Sequence, residues 1–314
     1  MHRTALAAVA VTVVACGGAP PAEPAAPRRP AKEAIKEARA LIDEAYDAMR
    51  AGKPANVMGL LAPDLFLVGP GPADVGLDRA AAMELAGSLV DDRKKHKLKS
   101  YGLEVYGGPD GHTAYAVDQV DYDGTSFAVT AVAAEVDGLW TLTTIEVSRA
   151  ISNRRLDQAV APAELPRWRP GDDAKAVHAE APRDLLKALT LAGDDVDLRL
   201  DQFGKDRDAT FVGPSPDEVI VGRKALDKKW KKRAPRYQVG PMVGAASSDG
   251  GLVWIVANAT RVADDGGDRK RDDRGGDGDA DRGAPRRLFA IYRDDGGDAG
   301  WSLAVLHETA VVAR

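Results

Sequence analysis

The chain has 314 residues, 44% of them apolar, which is ordinary for a globular protein and enough for real hydrophobic cores. Its 43 basic and 48 acidic residues leave a formal charge of -5, without the concentrated positive field that nucleic-acid binding requires, so no nucleic-acid partner is expected. There is one cysteine, which excludes an intramolecular disulfide.

His2 and Arg3 precede a charge-free run from Thr4 to Cys16 rich in Ala, Val and Leu, the charged head and apolar body of an export signal. The run is well short of the ~20 residues that a membrane-crossing helix needs. It ends in Val13-Val14-Ala15-Cys16, which resembles the bacterial lipobox. That resemblance implies that residues 1–15 are a removed signal peptide and that Cys16 is the lipid attachment site. Several acyl chains would then anchor the protein stably, where one holds only marginally. Gly17 rather than Asp follows the cysteine, which by the same resemblance implies an outer-membrane lipoprotein facing the periplasm. Residues 16–30 carry a proline every few positions and nothing large to bury, so they read as an extended tether.

The roughly 300 residues after the signal suit two domains of about 150 each. A helix is predicted from Ala31 to Arg50, where Ile35, Ala38, Leu41, Ile42, Ala45, Tyr46 and Met49 share one face. A short helix over 55–61, a strand over 65–68 and a helix over 77–94 follow. Segments 97–106, 112–122, 126–136 and 139–148 are rich in Val, Thr, Tyr and Phe and are separated by Asp-Gly turns such as Asp110-Gly111 and Asp123-Gly124, so they read as an antiparallel meander. Residues 31–153 thus form a first unit. Residues 154–173, with Pro162, Pro166 and Pro170, form a linker.

The second unit, 174–314, repeats the order: helices over 175–191 and 196–203, a strand over 209–212, a helix over 223–233, and strands over 237–246, 252–262, 286–293 and 301–312. Val68-Gly69-Pro70-Gly71-Pro72 recurs as Val212-Gly213-Pro214-Ser215-Pro216, and Trp140-Thr141-Leu142 as Trp301-Ser302-Leu303. The second span between these landmarks is longer by about the length of the Asp, Gly and Arg-rich insertion 264–284.

Helix, helix, strand, helix and four long strands, with a Val-Gly-Pro turn before the third helix and a closing Trp-x-Leu strand, resembles the NTF2-like superfamily, especially its SnoaL-like branch. The resemblance covers most of the chain after the tether, twice. It implies an α+β fold of two tandem cone domains, each with N-terminal helices packed on a curved antiparallel sheet around a pocket. The superfamily includes isomerases, dehydratases and polyketide cyclases beside non-enzymatic binding modules, so the fold leaves function open. Many members pair through the outer face of the sheet, which implies an intramolecular pseudo-dimer of the two copies.

Enzymes of this superfamily such as the ketosteroid isomerases place a carboxylate base in the pocket, where low polarity tunes it. The best candidate for such a catalytic residue is Asp118, in mid-strand, where it must face either water or a polar cavity; alternation alone does not say which. Matching Gly111 with Gly251 and counting forward makes Asn258 its counterpart. Tyr46, Tyr115 and Trp254 are candidate ligand-binding residues with Asn258, or else ordinary core. The five histidines show no metal-ligand spacing, and the neighbours His307 and Glu308 must point to opposite faces of a strand. Neither a metal nor a cofactor is expected. The basic runs 94–97 and 228–233 fall at helix C-termini, where cations suit the dipole.

The expected function is a membrane-anchored extracytoplasmic module that binds a small apolar ligand or a protein partner without catalysis. Two alternatives stand beside it: an isomerase, dehydratase or cyclase with Asp118 as general base, and a structural scaffold.

Overall fold

The computed structural model describes residues 30–76, 80–82, 84–85, 95–152, 155–156, 165, 179–204, 208–230, 234–247, 250–262, 283–296 and 300–312. The signal segment with Cys16, the tether up to Arg29, nearly all of the linker and the insertion up to Arg282 lie outside them. So does most of the helix expected over 77–94, although 80–82 and 84–85 are helical.

Helix α1 (Ala31–Arg50) buries Ala34, Ala38, Leu41, Ile42, Ala45 and Tyr46 along one face. It ends in a Schellman motif: Gly52, at φ 65°, donates to the Met49 carbonyl and Lys53 donates to that of Ala48. A left-handed residue there favours glycine. Helix α2 (Pro54–Gly59) leads into β1 (Leu61–Val68) and β2 (Val75–Gly76). Then come β3 (Leu98–Ser100), β4 (Glu104–Gly107), β5 (Thr113–Tyr122), β6 (Thr125–Val136) and β7 (Leu139–Arg149). Asp123-Gly124 and Asp137-Gly138 join the last three, with both residues of each pair at positive φ as two-residue hairpin turns demand.

The second half holds β8 (Ala179–Glu180), α3 (Arg183–Asp194), α4 (Val196–Gln202), β9 (Thr210–Val212), β10 (Val219–Val221) and α5 (Arg223–Trp230). Strands β11 (Arg236–Ala246), β12 (Leu252–Val262), β13 (Pro285–Asp294) and β14 (Trp301–Ala310) close it. The helix expected from Lys175 starts later, because Pro182 fixes an extended residue at its N-cap and 179–180 pair with β11.

Two seven-stranded sheets result, with β2-β1-β7-β6-β5 and then β3 and β4 in the first, and β10-β9-β14-β13-β12-β11-β8 in the second. Each meander is antiparallel as expected, but β1 joins β7, and β9 joins β14, in parallel, so both sheets are mixed. A bulge falls at the same place in each closing hairpin, between Val132 and Ala133 and between Ile291 and Tyr292. Bulges bend and twist a sheet locally, and here they curve it around the helices.

Both faces of each sheet are buried. The inner face of the first packs on α1 through Leu65, Leu67, Ala116, Val120 and Leu142. Its outer face, with Val68, Tyr115, Val117 and Val132, forms one cluster with Val212, Trp254, Val256, Phe289 and Ile291 of the second. The contact is reciprocal: Ile151 donates its N–H to the Pro214 carbonyl and Val312 donates its own to Pro70, each at 2.9 Å. Arg287 reaches across to the carbonyls of Gly69 (2.6 Å), Gly71 (2.8 Å) and Pro72 (2.7 Å).

Candidate functional site

A cavity of about 190 Å³ lies between α1 and the inner face of the first sheet. Ile42, Tyr46 and Met49 come from α1, Val57 from α2, and Leu98, Phe127, Leu142 and Ile145 from the strands. Almost all of the lining is hydrocarbon. The exceptions are the hydroxyls of Tyr46 and Tyr122 and the carboxylate of Asp118.

Asp118 is only 2% exposed. The Tyr46 hydroxyl donates to Oδ2 at 3.0 Å, while the Ser100 hydroxyl at 3.1 Å and the Gly102 N–H at 3.3 Å donate to Oδ1. This cage depends on a break in the sheet edge. Ser100 stands opposite Val120 and Glu104 opposite Val117, so the edge holds one residue more than β5 does. The extra residue frees the Gly102 N–H from the ladder and turns it to the carboxylate. The sequence reading took 97–106 as one strand and so missed Ser100 and Gly102; nothing but Gly102 itself marked the break.

Tyr46 sits about one turn from the C-terminal end of α1, on its buried face. Burial first, and then the negative charge of Asp118, push its pKa far above the ordinary tyrosine value, so it remains a protonated donor. His96, read from the sequence as part of a basic patch, is instead buried; it stacks on Tyr122 at 5.0 Å and its Nδ1 lies 2.8 Å from Asp123 Oδ2.

Three other candidate residues do not reach this cavity. Tyr115 is three residues before Asp118 and therefore on the opposite face, stacked on Tyr106 at 5.2 Å and donating to Asp208 across the two halves at 3.2 Å. Trp254, 1% exposed, is buried in the same inter-sheet layer. Asn258 is not the counterpart of Asp118. Val68 and Val212, which open the two Val-Gly-Pro turns, pair with Glu146 and His307. These in turn face Thr130 and Phe289, and one residue back Val129 and Leu288 face Asp118 and Ala257. Ala257 is thus the equivalent position, and the count from the hairpin glycine slipped by one, which moves a side chain to the other face.

In the second half a buried guanidinium and aromatic rings meet between helices and sheet. The Arg199 guanidinium lies 4.7 Å from the Trp230 ring centre and 5.2 Å from that of Tyr237, and it donates to the carbonyls of Ala192, Gly193 and Pro235. Phe203 and Phe211 pack edge-on against Trp230, which the sequence had placed in a basic patch. Tyr237 donates to Glu308 Oε2 at 2.6 Å and Arg286 to Oε1 at 2.9 Å. Burial alone would raise the Glu308 pKa, but the charges of Arg261 and Arg286 hold it below the usual carboxylate range. His307 points the other way, between the hydroxyls of Thr130 (2.8 Å) and Ser148 (2.7 Å).

Residues 38–152 match the family model described as a SnoaL-like domain. The SnoaL-like match lies within the first half and ends before the second. Among solved structures, the chain is similar to an NTF2-like protein of unknown function from Pseudomonas putida, at 15% identity over 38% of this chain and 89% of that one, with a TM-score of 0.34. A putative dehydratase of the NTF2-like family from Streptomyces avermitilis matches at 14% identity over 39% and 100%, with a TM-score of 0.35. An uncharacterised protein with a cystatin-like fold from Caulobacter vibrioides matches at 16% identity over 40% and 95%, with a TM-score of 0.34. The comparison with curated proteins gave no match.

Proposed function

We propose that this protein is a membrane-anchored extracytoplasmic binding module whose first half takes a small, largely apolar molecule, while its second half serves as a closed pseudo-subunit. One observation carries the binding role: an apolar cavity of about 190 Å³ with the hydrogen-bonded pair Tyr46–Asp118 in its wall. Binding sites are typically apolar with a few placed polar groups. The packing of Arg199 on Trp230 and Tyr237 supports a supporting role for the second half, and the reciprocal Ile151–Pro214 and Val312–Pro70 bonds support a pseudo-dimer. The anchoring rests on the lipobox-like sequence at Cys16 alone, and Cys16→Ala should release the protein from the membrane fraction.

A second reading draws on the same pair: a proton-transfer enzyme of isomerase, dehydratase or cyclase type with Asp118 as base. Against it, three donors already occupy both carboxylate oxygens, and each would have to weaken as the base takes a proton.

The test is a titration of the isotopically labelled chain with toluene and other neutral one-ring molecules, followed by NMR. Resonances of Tyr46, Phe127 and Ile145 should move together, and molecules recovered afterwards should be unchanged. Silent cavity resonances across the series would sink the binding role, and a chemically altered molecule would favour the enzyme.

A further inference from the structure

The interior carboxylates of the two halves are met differently. Each accepts a tyrosine hydroxyl, Asp118 from Tyr46 and Glu308 from Tyr237. Glu308 is then completed by guanidinium groups of its own half, Arg286 at 2.9 Å and Arg261 at 3.6 Å. Asp118 has no cationic partner among the described residues. Its donors are two hydroxyls and one backbone N–H, all uncharged, and it lines the cavity.

A carboxylate away from water is stable when a counter-charge meets it. It offers about four lone-pair sites, of which three are taken here, so one is left for a donor arriving from the cavity. The rings of Tyr46, Tyr122 and Phe127 also line the space and would favour a cation near their faces. Size limits the rest of the molecule: a dry cavity of about 150 Å³ takes benzene, so about 190 Å³ suits one ring, or an alkyl group of similar bulk, with a short polar arm.

We infer that the ligand is a small hydrophobic amine whose ammonium group sits on Asp118 and supplies the cation that Arg286 supplies to Glu308. This rests on the binding role proposed above and narrows it to a chemical class.

The experiment compares benzylamine, benzyl alcohol and benzoate at neutral pH by titration calorimetry and by NMR of the full chain. Benzylamine should bind at least about tenfold more tightly than benzyl alcohol, with benzoate weakest. Asp118→Asn should erase the preference for benzylamine over benzyl alcohol. Equal binding of amine and alcohol to the unaltered chain overturns the amine assignment and leaves the binding role standing. Failure of all three probes, benzylamine included, to reach the cavity removes both. Should the variant not fold, the three probes on the unaltered chain decide the matter by themselves.

Discussion

Glu146 provides a direct check on the layer between the two sheets. It is fully buried there, with the Thr309 hydroxyl donating to Oε1 and the Arg287 charge nearby. Burial raises its pKa from 4.5 to about 8, and the Thr309 bond and Arg287 offset only part of that rise. Below pH 4.5 the acid is protonated in both folded and unfolded chains and adds no pH dependence. Between pH 4.5 and 8 the unfolded chain loses the proton while the folded one keeps it, so stability falls as pH rises. At about 1.4 kcal/mol for each tenfold change in proton affinity, the whole window amounts to about 5 kcal/mol.

Glu146→Gln mimics the neutral acid and can still accept the Thr309 bond. Urea unfolding at intervals from pH 4 to pH 9 should therefore find the two proteins similar in the acid, with the variant gaining up to about 5 kcal/mol by pH 8. The difference between the two curves isolates Glu146 from every other titrating group. A difference that stays constant with pH, or that favours the native chain at pH 8, would show that Glu146 is ionised in the folded state and refute the reasoning.

His307 should act at the other end of the scale: burial lowers its pKa from 6.5 to about 3, so its stabilising effect is complete above pH 6.5. That stability drains away, by up to about 5 kcal/mol, as pH falls towards 3. His307→Gln should flatten this acid limb in the same urea series. Arg287→Met removes the guanidinium donor from the carbonyls of Gly69, Gly71 and Pro72 and should cost about 3 kcal/mol by urea unfolding. It should also push the Glu146 titration higher, since a favourable charge is lost. Trp254→Ala should cost about 3–5 kcal/mol as a core truncation. Toluene affinity should not change with it, because Trp254 belongs to the inter-sheet layer and not to the cavity; a tenfold change would show the two to be linked.

Helix α1 was legible to the residue because one apolar stripe runs its full length, and most strand ends were within a residue or two. The faces were not legible. Sequence alternation separates core from solvent only when one face is wet, and here Ala114, Ala116 and Val120 enter one core while Tyr115 and Val117 enter another. Asp118 could be placed only by knowing which apolar set belongs to α1. The same blindness let Asn258 stand in for Ala257, since Val256 and Ala257 are equally apolar neighbours on opposite faces. Arg199 and Glu308 were unreadable for a different reason: their partners Pro235, Tyr237 and Arg286 lie far away in sequence.

What recurs in the sequence and what differs now have separate physical explanations. Pro70 and Pro214 both accept an N–H from the end of the other half's last strand, so the Val-Gly-Pro turns recur where the two halves meet. The interiors answer to no such pairing and differ: Ala257 occupies the position of Asp118, and Glu308 that of the cavity residue Val147. The contact itself is not interchangeable either. In a symmetric pair the same patch meets itself, so two first halves would bring two Glu146 carboxyls into one buried layer without Arg287 to balance either. Glu146 accepts from Thr309 and His307 meets Ser148, each a hydroxyl of the other half. On the proposed pseudo-dimer, this makes each half the preferred partner of the other within one chain.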